Sequence, residues 1–176
     1  MEVKSNGYES FQLVYKEVFP VLMRVAYHVT YNMDASEDIC QEAFIRFYNR
    51  SLSFPSIDEA KYWLIRVTKN LSINYVKRKG REQVAVEKIK KQTKPVLKTG
   101  EDEVLGQETC ALVREAIHKL PEKLRAVLVL KEYSELNYRE IATILNISES
   151  NVKVRVHRAR QQLEKLLNQE DMYVSR

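Results

Sequence analysis

Arg66, Asn70, Asn74 and Arg78 follow one another at four-residue intervals, with Lys69, Tyr75 and Lys77 beside them. On a helix this spacing gathers the four side chains into one polar stripe. Asparagine offers a donor and an acceptor, and arginine binds phosphate or stacks on a base. Aromatic rings among basic residues are what an unstacked single strand needs. A second basic set, Lys153, Arg155, Arg158 and Arg160, has no acid within Val152–Arg160. From a helix in the major groove such side chains reach guanine O6 and N7, or phosphate. A third set, Asp38, Gln41 and Glu42, shares one helix face opposite Ala43 and Phe47. Paired carboxylates can serve general acid–base chemistry. Here no His, Cys or third acid stands at metal-ligand spacing, so the face reads as solvated surface or as a docking patch for a partner.

No catalytic motif emerges elsewhere. His28, His118 and His157 are scattered, with no nucleophile motif beside them, and there is no phosphate-binding Gly loop and no zinc spacing. Cys40 and Cys110 stand seventy positions apart and form neither a disulfide framework nor a metal cluster. No enzyme, no cofactor and no metal is expected. The chain of 176 residues holds 29 Lys+Arg against 24 Asp+Glu, a net charge of +5. Lys77–Lys98 alone holds nine basic residues and two acids, a net of +7. Positive charge concentrated in two places points to a phosphate backbone touched twice. Only 4 Gly and 4 Pro are present, too few turn residues for a sandwich or barrel. No apolar run approaches the ~18 residues of a membrane span. The N-terminus has no apolar signal region. A soluble, cytoplasmic, all-α protein is expected.

Helices must position these sets. Phe11, Val14, Val18, Val21 and Val25 mark one helix face, with a kink or restart expected at Pro20. A second helix should begin after Asn32, with Asp34 as N-cap and Glu37 three residues on, burying Ile39, Cys40, Ala43, Phe44 and Phe47. Residues 51–56 connect to a third helix, from about Asp58 to about Lys79, with Ala60, Trp63, Leu64, Val67 and Leu71 inside. A bundle over residues 1–80 follows. Residues 81–106 are basic, lack aromatic residues and are interrupted by Pro95 and Gly100, which reads as a flexible linker with helix near Val84–Lys91. Residues 107–176 are helical again.

In that second domain Leu112, Ala116 and Leu120 line a helix ending before Pro121, which opens the next, with Leu124, Val127, Leu128 and the stem of Lys131 in its core. Asn137 caps a helix with Glu140 three residues on. That helix holds Ile141, Ala142 and Leu145, and Asn146-Ile147-Ser148 turns into a final helix capped by Ser148, with Val152, Val156, Ala159 and Leu163 as its buried stripe. A short helix, a tight turn and a longer helix, with the small Ala142 at the crossing, describe a helix-turn-helix.

Asp38-Ile39-Cys40-Gln41-Glu42-Ala43-Phe44 resembles region 2.2 of bacterial RNA polymerase sigma factors of the extracytoplasmic-function group. Trp63-Leu64-Ile65-Arg66-Val67 with Asn70 resembles regions 2.3 and 2.4. Leu120-Pro121, Arg125, Tyr138-Arg139-Glu140-Ile141-Ala142 and Val152-Lys153 with Arg158-Ala159-Arg160 resemble region four. The resemblance implies that Asp38, Gln41 and Glu42 dock on core RNA polymerase. It implies that Trp63, Arg66, Lys69, Asn70, Asn74, Tyr75, Lys77 and Arg78 meet the minus-ten promoter element. Tyr138, Ser150, Asn151, Lys153, Val154, Arg155, His157 and Arg158 would face the minus-thirty-five element. An anti-sigma factor is implied as a further partner, and sensing by another protein, since no extra domain follows region four. Four positions depart from the family pattern: Asn74 where Asp is common, Ser150-Asn151 in place of Gly-Thr, and Glu135 where Gly is common.

A promoter-specificity subunit without catalysis of its own is therefore expected. A conventional helix-turn-helix repressor or activator explains residues 138–163 equally well. It leaves the Asp38/Gln41/Glu42 face and the third-helix stripe unused. Binding to core polymerase, against binding to duplex DNA alone, separates the two.

Overall fold

A computed structural model describes residues 2–90 and 106–174. Seven helices lie among the described residues: α1 (Tyr8–Thr30), α2 (Met33–Asn49), α3 (Ile57–Lys90), α4 (Gly106–Lys119), α5 (Glu122–Tyr133), α6 (Tyr138–Leu145) and α7 (Glu149–Val174). Two short strands, β1 (Val3–Lys4) and β2 (Ser53–Phe54), pair antiparallel with Val3 opposite Phe54. This pairing ties the N-terminus to the connection between α2 and α3. It is the one addition to an otherwise all-helical architecture.

α1 contributes Val14, Val18, Val21, Leu22, Val25, Ala26 and Val29 to the core, every third or fourth residue, and packs them on α2 and α3. The helix runs unbroken through Pro20, where a kink or restart was expected. Pro20 is solvent-exposed, so water can replace the bond that its missing N–H cannot give to the Lys16 carbonyl. α2 buries Ile39, Cys40, Ala43, Phe44 and Phe47, as the spacing requires. Its N-cap is Asn32, whose side chain accepts from Ala35 N–H at 2.8 Å, so the cap stands two residues before Asp34. Asn32 and Asp34 are both good capping residues. Extended φ/ψ at Asn32, next to left-handed Tyr31 (φ 50°), decides between them. Cys40 is a core residue, its thiol pushed up to about 12, first by burial and then by Glu37.

α3 extends to Lys90, beyond the expected end near Lys79. Gly80 costs such a helix roughly 1 kcal/mol relative to alanine. Glu82, paired with Arg78 (3.7 Å) and Lys79 (3.1 Å), bridges the weak point. The first ten residues read as linker are therefore helix. The rest of that segment, residues 91–105, lies outside the described residues.

In the second half α4 ends at Lys119 and Pro121 takes the N-cap of α5. α5 buries Ala126, Val127, Leu128, Val129 and Leu130 consecutively, a wider core than its spacing announced, because it is packed against α1, α6 and α7 at once. The expected capping box of α6 is complete: Asn137 accepts from Glu140 N–H (3.0 Å), and Glu140 accepts from Asn137 N–H (2.7 Å). Such a cap is worth about 1 kcal/mol. Asn146 closes α6 in the left-handed region (φ 54°), and Ser148 Oγ accepts from Asn151 N–H at 3.2 Å to open α7. Glu135, where the resembled family commonly has glycine, sits at φ 58°, which explains that preference. One contiguous cluster takes buried residues from both halves, with α1 meeting α5 and α3 meeting α6, and Leu120, Leu128 and Ala159 form a smaller second one.

Candidate nucleic-acid interface

On α3 the structure divides the polar stripe. Asn70, Asn74 and Arg78 are exposed, and the Arg78 guanidinium lies 5.7 Å from the half-buried Tyr75 ring. Arg66 is turned the other way. Its Nε donates to the Ile144 carbonyl and its Nη2 to the Thr143 carbonyl, both at 2.8 Å. Lys77 pairs with Glu122 of α5 at 2.6 Å. Lys69 is half-buried, and burial lowers its ammonium pKa, with Arg66 adding to the effect against the opposing pull of Glu122. Trp63 packs between Phe47 (5.9 Å) and Phe54 (6.3 Å).

The α2 face and the α3 stripe, separate sets in the sequence, meet in space. Asp38 and Glu42 form one wall, and Asn74, Tyr75, Arg78 and Arg81 the other, of a cleft of about 430 Å³. Asp38 and Gln41 are exposed. Glu42 is half-exposed and accepts from Arg46 Nε at 2.7 Å. Beyond Gln41 lies an aromatic groove that sequence reasoning missed, lined by Phe11, Tyr15, Phe44, Ile45 and Tyr48. Ile45 and Tyr48 remain 53% and 50% exposed. The available signal was their spacing, four and seven residues after Gln41, which continues the polar face as an apolar one.

α7 presents Ser150, Asn151, Lys153, Val154, His157 and Arg158 to solvent, while Val152, Val156 and Ala159 are buried. At 100° per residue Val154 lies opposite that buried stripe, so it is the outermost side chain of the helix. Arg155 is half-buried, its Nε donating to Asn151 Oδ1 at 2.9 Å. Lys153 pairs with Glu149 at 2.8 Å, which raises its pKa. The half-buried Tyr138 ring stands between the ammonium groups of Lys131 (5.1 Å) and Lys153 (5.8 Å). Arg160, counted with the basic set, instead reaches Glu132 at 2.7 Å. Arg125 is half-buried and donates to the Leu120 carbonyl (3.2 Å), closing the end of α4.

Residues 14–82 match the model of Sigma-70 region 2, and residues 110–163 that of Sigma-70 region 4. The chain is 33% identical over 174 residues to the ECF RNA polymerase sigma factor SigW of Bacillus subtilis, covering 94% of this chain and 93% of that protein. It belongs to the ECF sigma factors. It is also 32% identical to the ECF sigma-E factor of Haemophilus influenzae, over 72% of this chain and 71% of that one. Two solved structures share the fold. The sigma factor RpoE of Bartonella quintana, crystallised with the anti-sigma factor NepR, superposes with a TM-score of 0.62 at 22% identity, over 91% of this chain and 98% of its own. CnrH, in complex with the cytosolic domain of CnrY, gives 0.66 at 20%, over 93% and 91%. The protein is thus a transcription initiation factor that recognises promoters, which removes the conventional repressor from contention. No helix among the described residues is long and apolar enough to cross a membrane.

In this sigma factor two histidines sit where the halves meet. His28 of α1 stacks on Tyr133 of α5, with ring centroids 3.4 Å apart and planes within 7°. His118 of α4 lies 5.2 Å from Tyr31, over whose ring Arg114 is placed at 4.8 Å. Burial, then Arg114, lowers the pKa of His28 from its ordinary 6.5; burial, then Arg125 and Arg114, lowers that of His118. Tyr27 also faces His28, and burial raises Tyr31 to about 12, so Tyr31 sets no phenolate against the arginines near neutrality. Both imidazoles bind protons more readily in the unfolded chain than in the folded one. Their contribution is complete above pH 6.5 and is lost as pH falls below it. The melting temperature should therefore drop between about pH 7.5 and about pH 5.5. In the chain carrying His28→Gln with His118→Gln that drop should shrink, as differential scanning fluorimetry would show.

Proposed function

We propose that this sigma factor binds core RNA polymerase through Asp38, Gln41 and Glu42 and directs it to promoters with two separate reading faces. The α3 face, with Trp63, Arg66, Lys69, Asn70, Asn74, Tyr75, Lys77 and Arg78, takes the melted minus-ten strand. The α7 face, with Tyr138, Ser150, Asn151, Lys153, Val154, Arg155, His157 and Arg158, enters the major groove at the minus-thirty-five element. Val154, apolar and outermost, suits a thymine methyl. Residues 1–80 and 107–176 act as the two domains, joined by residues 81–106. The protein works in the cytoplasm and leaves the chemistry to polymerase. An anti-sigma factor is its regulator, a reading supported by the complexes in which the two structural relatives were solved.

One observation carries this reading. The acidic α2 face and the polar α3 stripe line the same cleft, so a polymerase docked on one brings single-stranded DNA to the other. Two weak sites held at a fixed separation gain through effective concentration. Asn70→Ala tests the α3 face. Because Asn70 is exposed and its amide is assigned to an unstacked base, the holoenzyme should form while promoter opening, followed by permanganate reactivity, falls about ten-fold, the loss of roughly 1.4 kcal/mol of stacking or hydrogen bonding. Undiminished opening would return Asn70 to ordinary solvated surface.

A further inference from the structure

The polar side chains that open α7 are bonded among themselves. The Ser148 and Ser150 hydroxyls lie 3.1 Å apart, and Ser148 Oγ also accepts from Asn151 N–H at 3.2 Å. Glu149 takes the Lys153 ammonium at 2.8 Å, and Asn151 Oδ1 takes Arg155 Nε at 2.9 Å. Two acceptors of the first turn thus each hold a cation of the second, at the i,i+4 spacing. They differ in charge. Glu149 neutralises the ammonium it holds, whereas Asn151 is neutral, so Arg155 is oriented and keeps its whole charge. With Nε spent on Asn151, both terminal Nη groups remain for an end-on grip on phosphate oxygens. An asparagine reads adenine with both halves of its amide, Oδ1 accepting from N6 and Nδ2 donating to N7. In Asn151 the accepting half is already given to Arg155.

We propose that Asn151, although it stands in the reading helix, reads no base: it is a positioning residue that holds Arg155 for a promoter phosphate. This rests on the reading of α7 as the minus-thirty-five face. Ser150-Asn151, which stands where the family commonly has Gly-Thr, supplies the orienting amide. An arginine held in place before contact has fewer rotamers to give up on binding. The gain is in affinity and not in preference, because phosphate contacts fix register on the duplex and are alike for every sequence. Base reading is left to the following turns, where Val154 and Arg158 are exposed.

The test uses the full chain assembled with core RNA polymerase. Asn151→Ala should weaken binding about five-fold to every promoter varied along the upstream element. In a chain already carrying Arg155→Ala, the same substitution should change affinity by less than about two-fold, since the group it acts through is gone. Asn151→Asp keeps the acceptor but compensates the guanidinium. It should lower the salt slope by about one while the melting temperature holds or rises, because an acid suits the first turn of a helix. A purely structural role would move melting and leave the slope alone. Equal losses in both backgrounds, or no loss in either, overturn the positioning role and leave the α7 face standing. Loss of preference at a single base pair overturns it too, since Asn151 would then be a reader. If Arg155→Ala by itself leaves affinity and slope unchanged, the phosphate reading of Arg155 fails and the positioning role fails with it.

Discussion

Replacing Asp38 and Glu42 together by alanine is expected to weaken binding to core RNA polymerase about 100-fold while leaving the helices intact. Each carboxylate stands on the open side of α2, and a hydrogen bond to a charged group is worth about 1.5–3 kcal/mol once a partner desolvates it. Two such contacts amount to roughly 3 kcal/mol, or two orders of magnitude in affinity. Folding has little to lose. Asp38 is exposed, and the bond between Glu42 and Arg46 is an i,i+4 surface pair worth about 0.5 kcal/mol. Circular dichroism should therefore overlay that of the parent chain. The shared cleft adds a second signature. Removing two negative charges opposite Arg78 and Arg81 should strengthen non-specific DNA binding while polymerase affinity falls. Unchanged polymerase affinity, or loss of helix, would sink the assignment of this face.

Alanine substitutions along α7 are expected to separate base reading from phosphate holding. Arg158 is exposed, with no ion pair to another described residue, so its fork is available for a base edge. Arg158→Ala should cost about 1–3 kcal/mol at one base pair and relax preference there. Arg155 is half-buried and oriented by Asn151, the posture of a residue at the groove wall. Arg155→Ala should weaken all promoters alike and reduce the salt slope by about one. Lys153 must first leave Glu149, so Lys153→Ala should have the smallest effect of the three, although its position also suits a groove-edge contact. Holoenzyme binding to promoters varied at each upstream position, at several salt concentrations, distinguishes these outcomes. If all three variants bind every promoter as the parent does, α7 is not the reader.

Local chemistry was the legible part. Asn137 with Glu140, Ser148 before α7, and the Val152/Val156/Ala159 stripe all follow from interactions within a few residues, and spacing reports those directly. The apolar faces of α1 and α2 were readable for the same reason. Choices between neighbours were harder: Asn32 prevailed over Asp34 through backbone geometry at Tyr31, which no residue type announces. Gly80 and the basic run after Lys77 looked like the end of α3, because glycine cost is visible in sequence and the compensating Glu82 pairs are not. The candidate site was legible as three lists of residues but not as a geometry. That Asp38 and Arg78 face each other across a cleft, or that Arg66 reaches Ile144 seventy-eight residues away, depends on long-range packing with no local trace. Spacing placed Arg66 in the stripe; the neighbouring helix decides where its fork goes.

Trp63 is the only tryptophan in the chain, and its indole rests on Phe47 and Phe54, one residue from the hydroxyl that meets Glu140. Excited at the red edge of aromatic absorption, the whole molecule thus emits from a single place, at the seam between α2, β2 and α3. Water reaching that ring shifts its emission to longer wavelength, and the chain's ten tyrosines absorb to the blue of it. The chain carries a native optical gauge, able to time the arrival of polymerase or a single strand in a stopped-flow cell with no dye attached.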